Sequence, residues 1–572
     1  MAKRLQWSLL TMLLCWHQLT AWSDDTLIDF QGDHYVINVA AMEADSEMTL
    51  SDVLLLCPEL MPDNGRLLGR NFILNVDGMD LYFDIEDFLS MVKANEVETV
   101  NVYVNPSISQ GVGGTDVLVD INYKKPSSDG VSGKATMEGS TYGNGLLYAD
   151  AKMQQGGLNM KGYVLADLQY AKGDVKEGGV LTQRQTIQNA HVSIAWDISA
   201  RDNLTVKLTQ QFSDYKERYR HTEDAYTIPD IERLGNLALC YTRTLNNHQA
   251  TLVAEAGGTY LSENSISRIR QVVPYCYAEL NTPLLSKHLW MLAGVENDYE
   301  NSWTIGDIRQ ENLKNDFYLQ LDYARGPWNL TLGTRHTLLH YRDRSYNGNA
   351  DNQTHHMNAT SFLASAGYKW GRHHVRGSFN RDFYIPVFDN LYENLLDVLT
   401  YNTGNQSNLI WRSELRYTYQ QRNITFTGSL THMWETDLPT PREELTGIKT
   451  SVTWRQGPLR LTAGAYYCHQ RLSATDEVPA QHDNYYVLKL APTLLLANGL
   501  RLSATLLYQS EQRYNDCQAY LYASVKVNKD LGPRLNAYAD FRNLAGMPQL
   551  SIYKLQGSYR NRALTAGVTY RF

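Results

Sequence analysis

Between Val131 and Phe572 the chain keeps returning to one pattern, in which apolar and polar residues alternate singly in runs bounded by turn formers. The C-terminal run states it most fully. Leu564, Ala566, Val568, Tyr570 and Phe572 fall on one side of an extended backbone, and Ala563, Thr565, Gly567, Thr569 and Arg571 fall on the other. A period of two is the mark of a strand with one apolar face. The runs reopen beside turn formers: Leu204-Thr-Val-Lys-Leu208 after Arg201-Asp202-Asn203, Trp328-Asn-Leu-Thr-Leu332 after Gly326-Pro327, and Leu459-Arg-Leu-Thr-Ala463 after Gly457-Pro458.

What such a chain can fold into depends on its solvent. The first residues read as an export signal: Lys3 and Arg4, an apolar Leu9–Cys15 stretch, and Ala21-Trp22-Ser23 as a cleavage site before Asp24. Cys15 follows a leucine, which disfavours a lipoprotein anchor. No later segment approaches the ~18 unbroken apolar residues of a membrane helix. An exported membrane protein without such helices must be a closed barrel, because lipid satisfies no backbone hydrogen bond. Composition fits: mean hydropathy is −0.40, yet only 20% of residues are charged, and 38 tyrosines and 11 tryptophans are available for interfacial girdles. The net charge of −9 leaves no basic footprint for nucleic acid. Cys57, Cys240, Cys276, Cys468 and Cys517 are scattered, without CxxC spacing, and read as incidental.

The connections sort into two classes. Short ones are expected at Gly156-Gly157, Asp202-Asn203, Gly326-Pro327, Gly371-Arg372, Gly457-Pro458 and Asn498-Gly499, and longer polar ones at 171–186, 215–233, 301–313, 343–353, 385–406, 473–482 and 544–560. Short periplasmic turns alternating with longer outer loops belong to an outer-membrane barrel. The runs predict about 22 antiparallel strands, each near the ~9–11 residues needed to cross. An even count puts both barrel ends in the periplasm. The expected organisation is a signal peptide at 1–23, a separate unit at 24–126 and an all-β transmembrane barrel at 127–572.

Residues 24–126 do not share the barrel rhythm. Val53–Leu56, Phe72–Val76 and Val100–Val104 are short buried-looking runs, and Ile85, Phe88, Leu89 and Val92 have helical spacing. Asp77-Gly78 and glycines 111, 113 and 114 mark turns. This is a small α+β unit. A barrel of some 22 strands has a lumen wide enough to need filling, so the unit is expected to be a plug.

Here the chain resembles TonB-dependent outer-membrane receptors, and among them the Bacteroidota-type outer-membrane β-barrel proteins. Gly32-Asp33-His34-Tyr35-Val36-Ile37-Asn38-Val39 is similar to the opening strand of the family's plug, and Thr49–Pro58 to its helix-then-proline element. Ile73–Gly78 resembles its strand ending in Asp-Gly. Val97–Val102 with Pro106, and Gly113-Gly114 followed by Asp120–Lys125, resemble its last two elements. The plug-motif residues carried over are Pro58, Asp77, Gly78, Pro106, Gly113 and Gly114. Glu59 departs from the glycine that usually follows the proline.

The resemblance implies a function. A ligand docks on outer loops and plug, the TonB–ExbB–ExbD system pulls an N-terminal segment, and the plug rearranges to open the lumen. Asp25, Thr26, Leu27 and Ile28 resemble the start of the TonB-contacting segment, which in the family adds as a strand to TonB. The alternative is that Thr26–Phe30 merely leads into the Tyr35–Val39 strand. Expected partners are TonB–ExbB–ExbD, outer-membrane lipid and lipopolysaccharide, and a surface lipoprotein; no cofactor and no nucleic acid is implied. The competing function is a plugged barrel with a structural or assembly role and no transport.

Sites of covalent chemistry are not legible. The chain has no HExxH, Gly-x-Ser-x-Gly or phosphate-binding glycine loop, so an enzyme is not expected. His355-His356 and His373-His374 should lie at opposite ends of one strand, ~50 Å apart at ~3.3 Å per residue, too far to share an ion. Lys207, Arg335, Arg460, Arg501 and Arg571 should point into the lumen and bond the plug or water.

Overall fold

The structure, a computed structural model, describes parts of 28–123 and most of 129–572. Stretches of seven or more residues outside that description are 1–27, 40–49, 55–61, 82–93, 104–116, 346–352, 385–407, 512–518 and 545–552. The expected signal peptide, the 85–92 helix, Asp25, Thr26, Leu27, Pro58, Asp77, Gly78, Pro106, Gly113 and Gly114 all lie outside the described residues.

The described N-terminal part is a mixed sheet. Its strands are β1 (Ile28–Phe30), β2 (His34–Ile37), β5 (Phe72–Val76), β6 (Met79–Leu81), β7 (Val97–Tyr103) and β8 (Val117–Tyr123), in the order β1-β2-β7-β8-β5-β6. Two further short strands, β3 (Pro62–Asp63) and β4 (Arg66–Leu67), pair with each other. Strands β5 and β8 are parallel and their neighbours antiparallel. Helix α1 (Leu50–Leu54) supplies Leu50, Val53 and Leu54 to a core with Ile37, Leu74, Val100, Val102 and Ile121, all fully buried. On β8, adjacent Leu118 and Val119 are both buried, as a central strand covered on both faces requires.

Among the described residues twenty-three strands follow, from β9 (Gly130–Ser140) to β31 (Ala563–Arg571), and all but β30 (Tyr553–Gln556) form one closed antiparallel wall of 22. β30 instead pairs with the outer end of β11 (Leu158–Val175). The wall closes where β31 meets β9, from Thr565↔Ser140 to Arg571↔Lys134. Thr136 and Thr569 hydroxyls lie 3.0 Å apart across that seam, and Gly133 and Phe572 exchange backbone hydrogen bonds. Both barrel ends are therefore on the short-turn side, as an even count demands.

The alternation has the sense read from the sequence. Leu564, Ala566, Val568 and Tyr570 are exposed, while Thr565, Gly567 and Thr569 are buried. Leu332 is 60% exposed and Arg335, on the opposite face of the same strand, 3%. Apolar residues outside and polar residues inside reverse the order of a water-soluble protein, and the belt of exposed leucine and valine is the surface of a barrel in lipid. Aromatic groups gather at its short-turn edge: Trp328 against Tyr368 at 4.6 Å, and Trp370 stacked on His373 at 5.4 Å.

Three expected loops are mostly strand. Instead of loops at 171–186, 215–233 and 301–313, the strands run to Val175, Arg220 and Thr304 and resume at Val180, Ala225 and Ile308. Beyond the bilayer both faces of a hairpin meet water, so the apolar half of the alternation disappears although Thr, Tyr and Ile still favour extended backbone. Strands therefore reach 21 residues, in β14 (Ala225–Leu245), rather than the expected 9–11. The turn placed at Asp202-Asn203 lies at 198–201. A short turn at Lys287-His288, with no typical turn former, escapes sequence reading.

Candidate functional site: the lumen wall

Of the residues expected to meet TonB, only Ile28 is described. It opens β1, the edge strand of the N-terminal sheet, with its backbone opposite Ile37. The His355-His356 and His373-His374 pairs do lie at opposite ends of the hairpin made by β20 (Gln353–Trp370) and β21 (His373–Tyr384). Among the described residues no group of three or more His, Cys, Asp or Glu could hold a metal ion, and Cys240, Cys276 and Cys468 are not disulfide-bonded.

The functional surface that the fold does assemble is the inner wall. Alternation turns the polar half of every strand inward, and that half is buried. Asp316 and Asn536 have no exposed surface, and Thr337 and Thr418 only 1%. The charges there are not mixed evenly. On β15 (Ala250–Asn264), β17 (Leu289–Thr304) and β18 (Ile308–Arg325) the buried acids are Glu255, Glu263, Glu300 and Asp316. From β21 to β27 (Leu500–Gln509) the buried bases are Arg376, Arg412, Arg416, Lys449, Arg460, Lys489 and Arg501, against Glu414 and Asp483. One arc of the lumen, β15 to β18, is thus predominantly acidic and a second arc, β21 to β27, predominantly basic. A low-dielectric wall with charge divided this way sets a field across the lumen.

The acidic arc is tied together by a compact network. Asp316 lies between Lys314, whose Nζ is 3.0 Å away, and the Arg335 guanidinium, and also accepts a hydrogen bond from the Thr337 hydroxyl. Lys314 reaches Asp298 at 3.2 Å, and Arg335 reaches Glu296 at 2.7 Å. Arg335 also stacks over the Tyr318 ring at 5.6 Å, while Tyr318 donates to Glu279 at 3.1 Å. Lys207 lies 3.5 Å from Glu255. Lys207, Arg335, Arg460 and Arg501 do face inward, but Lys207 and Arg335 pair with carboxylates of the wall itself, not only with plug or water as expected. Lys314 and Asp316 are two residues apart on one strand, but the other partners sit one or two strands away, far apart in sequence, and only the register brings them together.

Glycines let rings lie flat on this wall. A Cβ on Gly294 would fall inside van der Waals contact with the Tyr318 ring, one on Gly567 with Tyr538, and one on Gly257 2.7 Å from Tyr275. Each pair is directly cross-strand or one step from it, the packing in which a ring covers a bare stretch of neighbouring strand. At the periplasmic turn, Asp202 accepts hydrogen bonds from Ser199 (2.6 Å) and Tyr241 (2.6 Å), with Arg243 at 3.8 Å. The Ser199 bond first, then Tyr241 and the nearby arginines, hold its carboxyl below the usual carboxylate range.

Comparison with solved structures finds the same architecture. The siderophore receptor PiuA of Acinetobacter baumannii superposes with a TM-score of 0.72 at 12% identity, over 97% of this chain and 99% of that one. The FrpB iron transporter of Neisseria meningitidis gives 0.70 at 12% identity, over 95% and 100%. The alcaligin outer-membrane receptor FauA of Bordetella pertussis gives 0.65 at 11%, over 97% and 96%. The chain has the fold of outer-membrane siderophore receptors. No family model and no curated protein matches the sequence. The superposition extends over nearly the whole of both chains, so it takes in the N-terminal sheet as well as the wall. Together with the apolar belt, it puts the barrel across the outer membrane.

Proposed function

We propose that this chain is a TonB-dependent outer-membrane uptake receptor. After removal of a signal peptide at 1–23, residues 24–126 form a plug inside the barrel of 127–572. The observation that carries this is the two-way match to iron and siderophore receptors across both regions of the chain. The buried inner wall supports it, since the polar lining of an open lumen this wide would be wet. The Bacteroidota-type assignment rests on the N-terminal motifs.

The ligand docks at the outer rim on loops and plug. TonB, powered through ExbB and ExbD, takes hold of Asp25–Ile28 by strand addition and pulls. The plug shifts, and the ligand passes along the lumen. The basic arc suits an anionic ligand, and the ligand class is a nutrient too large or too scarce to diffuse through a porin. The chain's residues bind and move; no covalent step and no resident cofactor is required. A surface lipoprotein is the further partner that this reading expects. One observation favours the second reading, a structural role without transport: Ile28 is already paired in β1, so TonB must first peel that strand away.

The test is conductance in planar bilayers. The full chain should be nearly closed, and a chain lacking 24–126 should give large, long-lived openings. Equal conductance of the two would overturn the plug.

A further inference from the structure

The outward face of the barrel carries a cation that the uptake cycle does not use. Arg381 lies on β21, in register with Phe362 on β20 and with Trp411 on β22 (Asn408–Gln421). The side it faces follows from its neighbours. Arg412, Glu414 and Arg416 are buried in the inner wall and Leu415 is 56% exposed, so Trp411 and its partner Arg381 face out. The guanidinium sits 5.3 Å from the Trp411 ring centroid. Trp411 stacks on Trp434 of β23 (Ile424–Thr436) at 5.8 Å and 5°. Phe362 and Phe379 pack against Trp411 at 5.8 and 5.7 Å, and His432 lies against Trp434 at 5.3 Å.

Among the described residues no carboxylate answers this charge. Arg381 makes no hydrogen bond or ion pair among the described residues, and its Nε is closed off from solvent without a partner. The adjacent Asp382 turns inward, where Ser361 donates to it at 2.9 Å. Along the outward row the first acid is Glu444, beyond Trp411 and Trp434, three strands or ~14 Å away. An unpaired guanidinium facing lipid is costly unless it meets an anion.

Its height says which anion. Arg381 is ten residues beyond the Gly371 turn, ~33 Å along the strand and ~25 Å along the bilayer normal at a ~40° tilt. That is the full height of the apolar band, so Arg381 stands at the outer headgroup level. Aromatic rings at that level belong to an interfacial girdle, and a planar fork of N–H donors matches a phosphate.

We propose that Arg381, on the platform of Trp411, Trp434, Phe362 and Phe379, binds a phosphate of lipopolysaccharide from the membrane side. The proposal rests on the outer-membrane reading above. It assigns a specific seat on β20–β23 to a lipid partner that the fold alone leaves diffuse.

The full chain, purified in detergent, is titrated with lipopolysaccharide and with the same glycolipid after enzymatic dephosphorylation, and bound lipid is counted by native mass spectrometry. Saturable binding should weaken at least tenfold on dephosphorylation and by a similar factor in Arg381→Gln, with Arg381→Lys in between. Wild-type binding indifferent to phosphate, or Arg381→Gln binding as tightly as wild type, would overturn the proposal. If Arg381→Gln does not fold, the two lipids on the wild-type protein still decide. Heat-modifiable gel mobility and recovery in the outer-membrane fraction report separately on the barrel. A protein that inserts normally but ignores phosphate defeats the lipid site alone; one that never reaches the membrane defeats the reading beneath it.

Discussion

At the scale of single residues the wall is held by register. Asp316 is fully buried, and it is tolerated because Lys314, Arg335 and Thr337 all serve it. Removing one partner from such a group costs more than the pair contributes, since the other charge is left stranded. Arg335→Ala is therefore expected to destabilise the barrel by about 3–5 kcal/mol, whereas Arg335→Lys should recover part of that loss. Urea unfolding followed by tryptophan fluorescence in detergent measures both. A loss below ~0.5 kcal/mol for Arg335→Ala, within the range of an ordinary surface substitution, would show that the network is not structural. Asp202 acts in the opposite setting, at an exposed turn. Its folded-state carboxyl titrates below the usual range, so whatever stability it adds is present above the unfolded value and fades as pH falls through the lowered one.

At the scale of elements, alternation alone predicts a strand where one face meets lipid and fails where both faces meet water. The tips of β13 (Asp202–Arg220) and β14 are the clearest case. Lys216↔Pro229 and Arg218↔Thr227 are paired strand positions, yet Tyr215-Lys-Glu-Arg-Tyr-Arg220 carries no apolar stripe. Such tips stand clear of the bilayer and add little to the membrane-embedded wall. Deleting 216–229 and closing the hairpin with Asn-Gly should leave outer-membrane insertion and heat-modifiable mobility unchanged. A variant that accumulates unfolded in the periplasm would mean the tips are needed for barrel closure. By the same logic, most of the barrel was legible in the sequence: the strand number, the inward set Lys207, Arg335, Arg460 and Arg501, and the even parity. The pairing of Arg335 with Asp316 and Glu296 was not, because partners 19 and 39 residues apart meet only through register. Nor was the Arg381 seat, whose rings come from four strands.

At the scale of the whole molecule, the fold joins two sheets of different build. The wall is long-range sheet, closed on itself and without edges to expose. The N-terminal sheet has a free-standing order and its own core, with the edge strand β1 nearest the N-terminus. An edge strand is the kind of element another protein can extend. In the proposed cycle, force applied just ahead of Ile28 reaches β1 first, then β2 and β7 in the sheet order. Energised uptake requires that grip.

The most direct measurement is binding of the host's periplasmic TonB domain to the purified full chain, by calorimetry or surface immobilisation, beside a Leu27→Pro variant. Proline removes a backbone donor and resists strand addition without touching the described wall. The account predicts saturable binding by the wild-type chain and at least a tenfold loss in Leu27→Pro. Absence of binding, or equal binding by both, would contradict it and leave the barrel with a structural role.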